Sequence, residues 1–262
     1  MSIYAVSDLH TDFTANRRII EGLSRSAYRS DVLLVAGDIA DRLEIISYTL
    51  ELLRERFAMV FYVIGNHELW VRDGLDGDSL EKLDRIIELC DRLDVHTRPA
   101  RASKFWIVPL FSWYEADFDS DQTGDDSELA GWADFYFCKW PKFIGSVCDY
   151  FTELNAPRIR RYDGEVISLS HFLPRRDLLP DTELLRFKGL PQVAGCTRLE
   201  TQIRELGSIA HVFGHSHINC DEVVDGVRYV QNALRYPRER KSRPFSLKTI
   251  WPLEEIEQGW EI

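Results

Sequence analysis

The sequence predicts an α/β fold, and three observations predict it. Apolar runs at residues 3–7, 32–36 and 59–64 alternate with stretches whose apolar residues recur at helical spacing, the pattern of a sheet with parallel neighbours. The second and third runs are apolar throughout, as strands covered on both faces must be. All three stop abruptly at polar chemistry, Asp8-Leu9-His10, Gly37-Asp38 and Gly65-Asn66-His67-Glu68. Reactive side chains therefore collect beyond the carboxyl ends of the strands, where sheets of this class carry function.

The elements follow in order. Residues 3–7 form a short strand, after which Asp8 and His10, two apart, face the same way while Leu9 packs behind them. Residues 17–26 carry Ile19, Ile20 and Leu23 at helical spacing. The run VLLVA then ends at Gly37, which lets the backbone turn so that Asp38 leaves the sheet rim. Residues 42–57 place Leu43, Ile46, Leu50 and Leu53 on one helical stripe. The third strand, 59–64, leads to Asn66 and His67, and residues 79–93 form a third amphipathic helix. A strand at 105–110 follows.

Residues 112–138 change character, with eight acids, no Lys or Arg, and seven interspersed aromatic residues. With a helix at 142–154 they read as an insertion on the α/β frame. Two readings stand level, a lid over the site and a solvated acidic loop anchored by its aromatics. Further strands at 166–170 and 209–213 end at His171 and at Gly214-His215-Ser216-His217, with a helix at 199–206 between them. Residues 223–231 read as a hairpin turning at Asp225-Gly226. The basic run Arg235, Arg238, Arg240, Lys241 and Arg243 reads as solvated surface.

Composition narrows the function. The chain has 262 residues, 45% of them apolar, and a formal charge of −11 from 32 basic and 43 acidic side chains. That charge argues against duplex nucleic acid as a partner, because non-specific affinity comes from neutralising phosphates. No secretory signal and no membrane-spanning run is read, and five cysteines without paired spacing suit a reduced, cytoplasmic protein. The length fits one domain over 1–262, with residues 112–160 as insertion or lid and 235–262 as a tail.

Five of the seven histidines, His10, His67, His171, His215 and His217, directly follow expected strands beside Asp8, Asp38 and Asn66. Imidazole, carboxylate and amide oxygen in one cluster suit borderline divalent ions, and the lack of cysteine among them argues against a structural zinc site.

The ordered set Asp8-x-His10, Gly37-Asp38-x-x-Asp41, Gly65-Asn66-His67-Glu68, His171 and Gly214-His215-x-His217 resembles the calcineurin-like metallophosphoesterase superfamily. The resemblance implies a four-layer αββα sandwich and two divalent or mixed-valence ions of manganese, iron or zinc. Asp8, His10 and His217 would hold one ion, Asn66, His171 and His215 the other, and Asp38 would bridge them. A hydroxide shared by the ions would attack the phosphorus of a small phosphorylated substrate, a monoester or a diester. His67 would contact a phosphate oxygen and protonate the leaving group, oriented by Asp41, which the residues alone allow equally as a helix cap. Asp41-Arg42 is similar to the Ser/Thr protein phosphatases, but Leu43 and Ile64 replace that branch's Gly and basic residue. A non-catalytic scaffold and a chain-end nuclease are the alternatives to a phosphoesterase.

Overall fold

The computed structural model describes residues 1–72, 77–119, 126–240, 245–252 and 260–261. Two sheets lie face to face. The first has the order β10-β1-β2-β3, from Lys248–Trp251, Ile3–Val6, Val32–Ala36 and Met59–Val63. Its three N-terminal strands are parallel, with Ile3 opposite Val32 and Ala36 opposite Val63, and β10 runs antiparallel to β1. The second runs β11-β8-β9-β7-β6-β5-β4, from Trp260–Glu261, Asn219–Val224, Val227–Gln231, Ser208–Phe213, Glu165–Leu169, Phe105–Pro109 and Ala100–Ala102. Strands β5, β6, β7 and β9 form its parallel centre.

Alternation along each strand builds the layers. On β2, Val32, Leu34 and Ala36 face Ile167, Leu169 and Val212 of the other sheet, making the inner core. Leu33 and Val35 face outward onto α1 (Thr14–Glu21), α2 (Leu43–Arg54) and α3 (Ser79–Arg92), through Ile20, Ile46, Leu50 and Ile86. On the far side, Val166 and Phe213 meet α7 (Leu190–Val193) and α8 (Thr197–Leu206) through Leu190, Leu199 and Ile203. Helix, sheet, sheet, helix is the four-layer sandwich that the sequence resembles. Between α3 and β6 lie the short helices α4 (Asp126–Leu129), α5 (Asp134–Phe137) and α6 (Val147–Leu154).

Several helix boundaries moved: α6 starts at Val147 rather than 142, α8 at Thr197 rather than 199, and α1 ends at Glu21 rather than 26. The first helix begins at Thr14, earlier than its apolar stripe suggested, because the chain turns directly after His10, whose carbonyl accepts the Phe13 amide. Helix α2 starts at Leu43 with Arg42 at the cap and no side-chain cap bond, so Asp41 is not its cap. The hairpin formed as read, with Asp225 and Gly226 both at positive φ, as a tight two-residue turn requires.

Candidate metal centre

The carboxyl ends of β1, β2 and β3 in one sheet and of β6 and β7 in the other converge on one rim. Asp8, His10, Asp38, His215 and His217 all adopt left-handed backbone, with φ of 51°, 42°, 56°, 74° and 58°. Each such non-glycine residue costs about 1 kcal/mol or more, so the rim loops need firm anchors. Glu68 is the largest. Fully buried, its carboxylate accepts the amides of Gly65 (2.9 Å), Asp38 (3.2 Å) and Ile39 (2.5 Å) and the Tyr62 hydroxyl (2.8 Å). Removing it would strand buried donors at about 1–3 kcal/mol each. Two glycines make room. A Cβ on Gly37 would lie 2.4 Å from His171 Nδ1, and one on Gly65 would lie 2.2 Å from Asp38 Oδ1.

The first group is Asn66, His171 and His215. His171 Nδ1 donates to the Ala36 carbonyl at 2.9 Å and His215 Nε2 to the Val193 carbonyl at 2.9 Å. Each bond fixes a tautomer, leaving the lone pairs of His171 Nε2 and His215 Nδ1 turned to each other at 3.3 Å. Asn66 Nδ2 donates to Asp134 Oδ1 at 2.8 Å, so its Oδ1 points at the same spot, 3.0 Å from His171 Nε2 and 3.2 Å from His215 Nδ1. Three acceptors face one another with no proton to share. A cation among them turns mutual repulsion into coordination, so these residues fit a metal ion.

The second group is Asp8, His10 and His217. His10 Nε2 and His217 Nε2 are 2.9 Å apart, and His217 Nε2 is 3.5 Å from Asp8 Oδ1. His217 Nδ1 meets Glu239 Oε2 at 2.7 Å. His10 Nδ1 is buried without a hydrogen-bond partner among the described residues. Asp38 stands between the groups, with Oδ1 3.4 Å from His171 Nε2 and Oδ2 3.8 Å from His67 Nε2.

Electrostatics point the same way. Burial, then the Glu68 and Asp8 carboxylates, push Asp38 well above its ordinary value, the signature of a carboxylate short of positive charge. Burial and neighbouring imidazoles hold His10, His67 and His215 far down, so their lone pairs are free. For His217, burial opposes charge but Asp8 and Glu239 outweigh it and raise the ring to about 9. Burial also opposes ionisation of Asp8, and His217 overcomes it, bringing the carboxyl to about 2. The set asks for positive charge, from protons or from metal ions.

His67 lies against both groups. Its Nε2 is 3.1 Å from the Tyr236 hydroxyl, its amide donates to Asp38 Oδ1 at 3.1 Å, and its ring lies on Trp70 at a 3.7 Å centroid distance.

Asp41 and His67 line the same cavity. The Asp41 carboxylate pairs with Arg72 Nε at 2.7 Å, and the ring of His67 is met by Tyr236, Asp38 and Trp70. A nearby arginine outcompetes a neutral imidazole for a carboxylate. The basic tail is corrected in part, since Arg238 is exposed as expected but Arg235 is not. Arg235 is buried, and the segment delivers Tyr236 and Glu239 to the centre, although Lys241 and Arg243 lie outside the described residues. Where it is described, the acidic insertion turns Trp132 and Asp134 toward the centre while Phe135 and Tyr136 are exposed. Buried Asp134 accepts from Asn66, Trp70 and Trp132, and the Trp132 ring lies 5.8 Å from that of His215.

Sequence reasoning missed Asp134, Tyr236, Glu239 and the role of Glu68. Only Glu68 carried a signal, its place in the Gly65-Asn66-His67-Glu68 run.

An αββα sandwich with imidazoles and carboxylates on its rim defines a class, and comparison names it. The family model of calcineurin-like phosphoesterases matches residues 1–219, and the chain belongs to that family, hydrolases of phosphoester bonds. It is similar to the [acyl-carrier-protein] phosphodiesterase PptH of Mycobacterium tuberculosis, 29% identical over 283 positions that cover 99% of this chain and 86% of that protein. The crystal structure of phosphopantetheinyl hydrolase PptH from the same organism superposes with a TM-score of 0.80 at 27% identity, covering 98% of each chain. A Thermus thermophilus structure, at 13% identity, TM-score 0.52 and 88% coverage of each chain, shares the fold. Among the described residues no helix is long and apolar enough to cross a membrane.

Proposed function

We propose that this chain cleaves a phosphodiester joining a phosphopantetheine arm to a carrier protein, using two metal ions. Asp8, His10 and His217 would hold one, Asn66, His171 and His215 the other, with Asp38 between them. When bound, the ions would supply an acidified water and positive charge against the phosphoryl oxygens. The rest of the work falls to the chain's own side chains. Trp70 and Tyr236 hold His67 in place, and burial keeps its imidazole neutral, so that its one N–H can hydrogen-bond a phosphoryl or leaving oxygen without giving up the proton.

The observation that carries the diester reading is a cavity on each side of His67, each of about 410 Å³. A monoester needs one such space; a diester has two arms to place. One cavity is walled on one side by Trp132, Leu185, Phe187 and Leu190, with the Trp132 and Phe187 rings stacked nearly parallel, 4° between their planes. That apolar side would take the linear arm, with Arg186, Arg238 and Arg240 on the cavity's polar side. The other, lined by Phe13, Trp70, Tyr236 and Pro237 with Asp12, Asp41, Arg72 and Arg238 among them, would take the carrier-protein side of the diester. The resemblance to PptH, named for this activity, supports the same assignment.

The test is manganese-loaded protein with p-nitrophenyl phosphate, bis-p-nitrophenyl phosphate and a phosphopantetheinylated carrier protein followed by mass. Metal-dependent diester cleavage faster than monoester cleavage, with loss of phosphopantetheine from the carrier, is the expected result. A monoester preference would refute the two-cavity reading. No release from any substrate at confirmed metal content would leave a non-catalytic scaffold.

A further inference from the structure

Away from the rim, Cys148 on α6 and Cys196, the residue before α8, bring their sulfurs to 2.6 Å. That is well inside ordinary non-bonded contact and short of the roughly 2.05 Å of a covalent bond. Both are buried within the cluster that holds Trp113, Phe151 and Phe172. Over them lies Arg198, partly exposed, whose guanidinium pairs with Glu115 and Asp149 and also reaches both sulfurs. The pair thus sits one side chain below the surface, next to a fixed positive charge.

Glu115, Cys148 and Cys196 have the makings of a metal site, but two features speak against it. Thiolates each about 2.3 Å from a tetrahedral zinc ion stand about 3.8 Å apart, much farther than these. The Glu115 carboxylate is also already paired with Arg198.

We infer that Cys148 and Cys196 form a reversible intramolecular disulfide, made by hydrogen peroxide and undone by dithiols. The pair is chemically unequal. The contact with Cys148 lowers the Cys196 thiol against burial, while the same contact and burial raise that of Cys148. Cys196 is therefore the attacking thiolate. Its sulfur displaces hydroxide from peroxide to give a sulfenic acid. The Cys148 sulfur then attacks it, losing its proton, and water leaves. In sum two thiols and one peroxide give one disulfide and two waters. Peroxide is close to water in size, which suits a buried pair of thiols with the exposed Arg198 beside it.

The bond would fasten the insertion to the segment behind the buried metal group. Cys196 N donates to Leu173 O at 3.0 Å and Leu173 N to Ala194 O at 3.0 Å, two residues past His171, and the Val193 carbonyl holds His215. A link between residues 48 positions apart should raise the thermal midpoint by about 5 °C or more.

The test uses the metal-loaded full chain, treated with peroxide, alkylated in denaturant and mapped by mass. Expected is one cross-linked peptide containing Cys148 and Cys196, reversed by dithiothreitol, with Cys90 and Cys220 alkylated throughout and the higher midpoint. Peroxide-treated Cys148→Ser should instead trap Cys196 as a dimedone adduct. Full alkylation of both wild-type thiols after peroxide would overturn the proposal. So would a further equivalent of zinc lost in Cys148→Ser, which would make the cluster a metal site.

Discussion

The two halves of the candidate metal centre are built differently. Asn66, His171 and His215 are enclosed, and two of the three are held by main-chain carbonyls, those of Ala36 and Val193, with buried Asp134 behind the third. In the other half Asp8 and His10 are just as buried, and His217 is the open member. The His217 side chain is 14% exposed, its partner Glu239 is 28% exposed on the tail, and His10 Nδ1 has no partner among the described residues. Carbonyls come with the fold, whereas a glutamate on an irregular segment can move or be replaced. The enclosed half should bind its ion more tightly and exchange it more slowly.

The bluntest way to break the comparison is Asp38→Asn, which weakens the element the halves share. Both ions should be lost together, with activity down about 10³-fold, as read by metal analysis beside turnover. Loss of one ion only would show that Asp38 belongs to one half. Next comes His67→Ala, which should leave both ions in place while turnover falls about 10²-fold or more. Metal lost along with activity would move His67 into the coordinating set. The finest probe is Glu239→Gln, expected to weaken one ion about 10- to 100-fold and leave the other. Chelator titration should then turn from nearly monophasic to clearly biphasic, and an equal loss of both ions would erase the proposed asymmetry.

The sandwich and most of the rim were legible because chemistry follows directly on apolar runs. Asp8, Asp38, Asn66, His171 and His215 each stand one to three residues beyond a strand, so locating the strand located the side chain. The same logic set aside His211, which lies within β7 and is satisfied in the core by Ser168 and Ser170 at 2.8 and 2.9 Å. What escaped comes from irregular chain. Tyr236 and Glu239 lie in a stretch whose basic character suggested solvent, and Asp134 in one whose acidic character did. Neither composition nor periodicity says which acid of eight will turn inward. Asp41 is a different case: its spacing pointed to His67, and nothing in the sequence showed that Arg72, further along the chain, would pair with its carboxylate.

The left-handed turns at Asp8, Asp38 and His215 tie the centre's integrity to the joining of the two sheets. Asp8 Oδ1 accepts the His215 amide at 2.9 Å, and the Asp8 amide donates to the Gly37 carbonyl at 3.0 Å, so each unfavourable conformation is propped by a neighbour from another strand. Local preference would never produce them. The rim therefore takes its working shape late, after both sheets have docked, and is the first region to relax if they part. A chain trapped halfway through folding would have its strands in place and nowhere to put a metal.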